Sequence, residues 1–161
     1  MMERIRTVIW YTALFLVLYG AYLLAGNYTL AVVDENYKYM EPTIKARDLC
    51  LLRRSRATVK KLKREDLIAY HVLYRSEEKR MFGRVLGVAR DVLTLRDGHL
   101  CVNGLDVGLA PESVSGVIGS DGLIIPRDTV FVSFDSSKAE SIPLSQRLIS
   151  FNSIYGRVVR K

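Results

Sequence analysis

Tyr37-Lys38-Tyr39-Met40-Glu41-Pro42-Thr43 is the stretch on which the reading of this chain turns. It separates two very different regions. Before it lies Val8 to Gly26, a run of 19 residues without a charge. As a helix at about 1.5 Å per residue that run spans roughly 28 Å, close to the ~30 Å hydrocarbon core of a bilayer. After it come short apolar-rich runs between turn signals: Leu49 to Leu52, Leu67 to Leu73, Arg84 to Val88, Val92 to Leu95, Leu100 to Val102, Leu123 to Ile125, Val130 to Val132 and Ile154 to Val159. Asp97-Gly98 and Asn103-Gly104 are hairpin-turn pairs, so Val92 to Arg96 leading into His99 to Val102 predicts a hairpin. No long amphipathic helix follows residue 30. The pattern predicts a mainly β chain, one antiparallel β domain after one N-terminal transmembrane helix. Ser133 to Ser141, polar and serine-rich, predicts a loop.

The opening stretch resembles the nucleophile box of type I signal peptidases, S-x-S-M-x-P-T, with Met40, Pro42 and Thr43 in place. Met81-Phe82-Gly83-Arg84-Val85-Leu86-Gly87 resembles the family's general-base box, x-V-K-R-V-I-G. Asp66-Leu67-Ile68-Ala69-Tyr70 is similar to G-D-I-V-x-F, and Asp97 to Gly104 to D-G-x-L-Y-V-N-G. Ile125-Pro126 to Phe131-Val132 and Ile154-Tyr155-Gly156-Arg157-Val158 complete an ordered set of boxes. The resemblance implies the signal-peptidase β fold.

The same resemblance implies lost chemistry. Tyr39 stands where the family has its serine nucleophile, Gly83 where it has its lysine base, and Tyr37 where a serine helps bind the oxyanion. A serine hydroxyl attacks only when a base takes its proton, and a buried neutral lysine serves as that base. Tyr39 is bulky and carries a phenol of ordinary pKa about 10, and Gly83 accepts no proton. The late box G-D-N-R-x-x-S-x-D-S-R has decayed to Ser133-Phe134-Asp135-Ser136-Ser137, with Leu144-Ser145-Gln146-Arg147 a loose remnant of its end. Lys79, four before Gly83, is a replacement base only across roughly 13 Å of strand, and Lys38 points away from Tyr39 in an extended segment. The degenerate site predicts no catalytic residues. The alternative is an active type I signal peptidase with displaced catalytic groups. Tyr37, Tyr39, Met40, Glu41, Phe82, Gly83 and Arg84 form a candidate peptide-binding cleft, because strand addition uses backbone groups. Whether the two tyrosine rings bind a partner or plug the pocket stays open.

The N-terminal region sets the expected location. Arg4 and Arg6 precede the apolar run, so the positive-inside rule predicts residues 1–7 in the cytoplasm, 8–26 in the membrane and 27–161 outside. Trp10, Tyr11 and Tyr22 suit the two interfaces. A cleaved signal sequence is the alternative, although the run is long for one and Leu23-Leu24-Ala25 is a poor cleavage site. The compact form with one membrane helix resembles the signal peptidases of Gram-positive bacteria. The loss of both catalytic residues resembles the degenerate pilus-assembly branch of Gram-positive cocci. That resemblance implies an accessory or chaperone role, with pilin subunits and the pilus sortase as partners.

The net charge is +7, and seven of the twelve residues from Arg53 to Arg64 are basic. An outward-facing domain argues against nucleic acid. A solvated loop and a contact with anionic lipid or wall polymer both stay open. Cys50, Cys101, His71 and His99 have no metal-like spacing, so no metal and no cofactor is expected. The two cysteines read as small buried apolar residues, with a disulfide undecided by sequence.

Overall fold

The computed structural model describes residues 2–35, 37–54, 59–74, 77–119, 121–136, 139 and 141–160. Helix α1 runs Met2–Asn27 and passes without a linker into strand β1, Tyr28–Val32. Within it, Arg6–Asn27 is a 22-residue stretch of mean hydropathy 1.9, long and apolar enough to cross a membrane. Its side chains from Val8 to Leu18 lie open, with Trp10 at 73% exposure. A helix apolar on every side has no polar face to turn to water, and here no protein surface covers it.

The strands that follow are β2 Leu49–Arg53, β3 Leu67–Tyr74, β4 Glu77–Gly87, β5 Val92–Arg96, β6 His99–Val102 and β7 Leu105–Leu109. A short helix α2, Glu112–Ser115, precedes β8 Leu123–Ile124, β9 Thr129–Ser133, β10 Leu148–Ser150 and β11 Ile154–Arg160. They form a seven-stranded sheet in the order β1-β2-β11-β3-β4-β9-β10 and a four-stranded sheet in the order β7-β6-β5-β8. All described pairings are antiparallel. The mainly β expectation therefore holds.

Both hairpin turns form as their residues dictate. Asp97 and Gly98 take φ of 52° and 79°, and Asn103 and Gly104 take 52° and 80°. Two successive positive φ values are what a tight turn between right-twisted strands requires. Each sheet has its own core. Met40, Leu52, Ile68, Tyr70, Phe82 and Val132 belong to the first, and Leu93, Leu100, Val102 and Ile125 to the second. Cys50 and Cys101 are buried, one in each sheet, and are not joined in a disulfide.

Some elements differ from the sequence reading. Strand β4 begins at Glu77, well before the apolar run at Arg84, because Lys79 to Met81 pair with Tyr70 to Val72 across the β3–β4 register. Within the loop expected from Ser133 to Ser141, Ala139 is 2% exposed and anchored. The basic stretch is not wholly solvated either: Val59 and Leu62 are buried between its lysines, and Arg64 pairs with Asp91 at 3.2 Å. Arg56 of that stretch and Ser137 of the late box lie outside the described residues.

Candidate functional site

Strands β3, β4 and β9 lie side by side, which brings the base-box position against two bulky neighbours. Gly83 is opposite Ile68, so Tyr70, two residues along β3, is its diagonal partner on the same face. A Cβ placed on Gly83 would lie 3.1 Å from Val132 Cβ, 3.3 Å from Tyr70 Cε1 and 3.4 Å from the Ser133 carbonyl oxygen. A glycine inside a strand marks such a close approach. The volume a side chain would enter is already occupied by the Tyr70 ring and Val132.

Tyr37 reaches the same strand from the opening stretch. Its hydroxyl accepts the Phe82 N–H at 2.9 Å and donates to the Phe82 carbonyl. One phenol thus satisfies both backbone groups that Phe82 offers on the side of β4 away from β3. Tyr37 is 6% exposed. Burial pushes its phenol well above the ordinary tyrosine value, and nearby Tyr70 adds to the rise. Tyr70, fully buried, is raised for the same first reason, against a lowering by Arg147, and its hydroxyl has no hydrogen-bond partner among the described residues.

The rings continue as an edge-to-face cluster. Tyr37 meets Tyr39 edge-on at 5.4 Å between centroids and Phe82 at 5.8 Å, and Tyr39 meets Phe134 at 6.1 Å. The Arg147 guanidinium lies 5.1 Å from the Phe134 ring centre. That arginine is 2% exposed and donates from Nε to the Ile142 carbonyl at 3.0 Å and from an Nη to the Ala139 carbonyl at 2.6 Å. Burial lowers its pKa and Tyr70 opposes the shift. Arg147 is therefore a buried anchor that ties the segment after β9 to the ring cluster.

Arg84 is held separately. Its Nε and Nη2 donate to the two carboxylate oxygens of Asp135 at 3.1 and 2.8 Å, and Nη2 also reaches the Thr43 hydroxyl at 3.3 Å. Burial raises the Asp135 carboxyl, but the hydrogen bonds from Arg84 and Thr43 outweigh it and hold it below the usual carboxylate range. The paired fork fixes the end of the opening stretch against β4 and β9.

An open groove of about 590 Å³ remains beside this cluster, between Val32 at the end of β1, Asp34 just past it, and the first half of β4. Tyr37, Tyr39 and Phe82 line it, together with Lys79, Met81 and Ile142. Met40, Glu41, Gly83 and Arg84, counted in the candidate cleft from sequence, are not in its walls. Met40 is fully buried and Lys38 is exposed although both flank Tyr39, because the segment turns from Tyr39 onward and does not alternate as an extended strand would. Tyr70, Phe134 and Arg147 are site residues that the box comparison did not single out. The β3–β4 register carried the signal for Tyr70, since two antiparallel strands place diagonal residues in contact. No cluster of metal-ligating side chains is present among the described residues.

The family profile described as "Signal peptidase, peptidase S26" matches residues 6–142. The chain belongs to the signal peptidase family. The crystal structure of a signal peptidase I from Enterococcus faecalis V583 is similar at 17% identity, with 60% of this chain and 95% of that chain covered and a TM-score of 0.39. The comparison with curated proteins finds no match. Tyr39 and Gly83, which the sequence resemblance sets against the family's nucleophile and base, carry neither a hydroxymethyl nor an amine group.

Proposed function

We propose that this signal peptidase family member is non-catalytic and works as a membrane-anchored peptide-binding factor. The observation that carries the reading is the filled site. Tyr70 and Val132 stand where a lysine at 83 would extend, and Tyr37 closes the Phe82 backbone. Acyl transfer needs a nucleophile within hydrogen-bond reach of a base. Lys79, the nearest lysine on β4, is paired opposite Val72, four residues from Gly83, at roughly 13 Å along the strand.

The groove supports the binding half of the reading. Beyond the Tyr37 lock it presents a partly polar, partly aromatic channel beside the open side of β4, suited to an extended segment. Tyr39, partly exposed, supplies aromatic contact area there. Residues 8–26 anchor the chain with residues 1–7 in the cytoplasm and the β domain outside. The role closest to this pattern is that of the degenerate pilus-assembly proteins of Gram-positive cocci, with pilin subunits and the pilus sortase as partners.

The test combines processing with assembly. Purified full-length chain should leave a signal-peptide-bearing preprotein intact. In cells, Ser141→Trp, which fills the groove from an exposed wall position, should stop partner capture while the domain stays folded. Cleavage abolished by Tyr39→Phe establishes the active-peptidase alternative instead. Normal pilus assembly with Ser141→Trp removes the groove from the function.

A further inference from the structure

We infer that the chain carries an anionic phospholipid head-group site at the exit of α1, built by Arg54 and Arg80 around Tyr155. The inference rests on α1 crossing a bilayer and not on what the groove binds.

The position comes from one hydrogen bond. The Arg54 N–H donates to the Asn27 carbonyl at 2.9 Å, and Asn27 is the last residue of the apolar span. Register agrees, because Tyr28 is opposite Arg53. The head-group layer occupies roughly 5–8 Å beyond the hydrocarbon on each side. A side chain that starts at the span's last carbonyl lies within that layer.

The chemistry comes from how the arginines are held. Their guanidinium carbons lie 4.6 Å (Arg54) and 4.4 Å (Arg80) from the Tyr155 ring centre. Those distances limit their separation to at most 9 Å, which one phosphate can bridge. A guanidinium stacked on a ring is oriented by its face, while its N–H edge stays free to donate to phosphate oxygens in pairs. Arg80 Nε is buried and has no acceptor among the described residues. Neither arginine has a carboxylate partner among the described residues; the nearest acid in sequence, Glu78, is engaged by His71 at 3.2 Å. Arg53, exposed beside them and 6.0 Å from the Tyr28 ring centre, adds positive charge. Two oriented cations with an unmet donor, set at phosphate depth, fit an anionic lipid better than a zwitterionic one. Phosphatidylcholine carries its own cation to compete for the phosphate.

Native mass spectrometry of the full-length chain in detergent tests this, titrating phosphatidylglycerol against phosphatidylcholine. The wild type should retain phosphatidylglycerol preferentially. Arg54→Gln with Arg80→Gln should weaken that retention roughly thirtyfold, from two arginines at about 1 kcal/mol each near an anionic surface. Arg96→Gln with Arg127→Gln, the same charge change on exposed residues away from α1, should not. Arg80→Lys keeps the charge but loses the fork, and should give an intermediate loss if the double variant does not fold. Equal retention of the two lipids, an unaffected double variant, or equal weakening by the control pair overturns the site. Displacement of the lipid by soluble glycerol phosphate at equal concentration overturns the lipid assignment in favour of a free phosphate ligand.

Discussion

Replacing Tyr37 by phenylalanine removes one hydroxyl and orphans two backbone groups. The Phe82 N–H loses its acceptor and the Phe82 carbonyl loses a donor, at a residue that is 1% exposed. A buried polar group left without a partner costs about 1–3 kcal/mol, which for two groups sums to roughly 2–6 kcal/mol. The neighbouring groove, lined by both Tyr37 and Phe82, admits water and pulls the cost to the lower end. The expected loss is therefore about 2 kcal/mol. For a chain of this size that is a fall in melting temperature of roughly 5–10 °C. The assay is thermal unfolding of the full-length protein in detergent, followed by the near-ultraviolet circular dichroism of the packed rings. Tyr39→Phe is the internal control, since its hydroxyl has no hydrogen bond among the described residues, and it should change stability by less than about 0.5 kcal/mol. If Tyr37→Phe melts with the wild type, the phenol does not hold β4, and the account of a closed strand edge fails.

Four further outcomes follow from the same geometry. Tyr39→Ser combined with Gly83→Lys should not restore preprotein cleavage, and Gly83→Ala alone should destabilise by about 1–2 kcal/mol in chemical denaturation, because Val132 Cβ and the Ser133 carbonyl cannot retreat. Asp135 ionises more easily folded than unfolded, so its contribution is present above the ordinary carboxylate pKa of about 3.9 and is lost as pH falls through the lower folded value; Asp135→Asn should flatten the acid limb of a stability-versus-pH curve. Tyr37 and Tyr70 ionise less easily folded than unfolded, so their contribution is present below about pH 10 and declines as pH rises above it; a spectrophotometric titration should leave both phenols protonated until the domain unfolds.

The apolar runs and the two turn pairs made most of the sheet legible, since local chemistry determines them: Asp97-Gly98 turns wherever it stands between strands. Strands β1, β7 and β10 were not legible. Tyr28–Val32 follows directly on a membrane helix, Leu105–Leu109 contains Gly108 at φ 119°, and Leu148–Ser150 is three residues long. Each is an edge strand: β1 and β10 depend on partners distant in sequence, while β7 follows β6 directly through the Asn103-Gly104 turn but carries Asp106 and Gly108, which weaken its strand pattern. At the site, the substitutions at 37, 39 and 83 were readable one by one. What fills the vacated volume was not, because Tyr70 and Arg147 approach Gly83 and Phe134 only through pairing and packing.

The absence of any linker between α1 and β1 has a geometric consequence for whatever engages this protein. The groove begins at Val32, five residues past Asn27, and an extended strand advances about 3.3 Å per residue. Its mouth therefore stands no more than roughly 17 Å from the end of the span, with no slack to rise further. A partner that is itself rooted in the bilayer reaches that height with about five extended residues beyond its own anchor. A segment buried deep in a partner's folded domain does not reach it at all. On the proposed anchored, peptide-binding reading, the short tether acts as a ruler that selects membrane-proximal stretches of chain by their distance from the lipid before any side chain is compared.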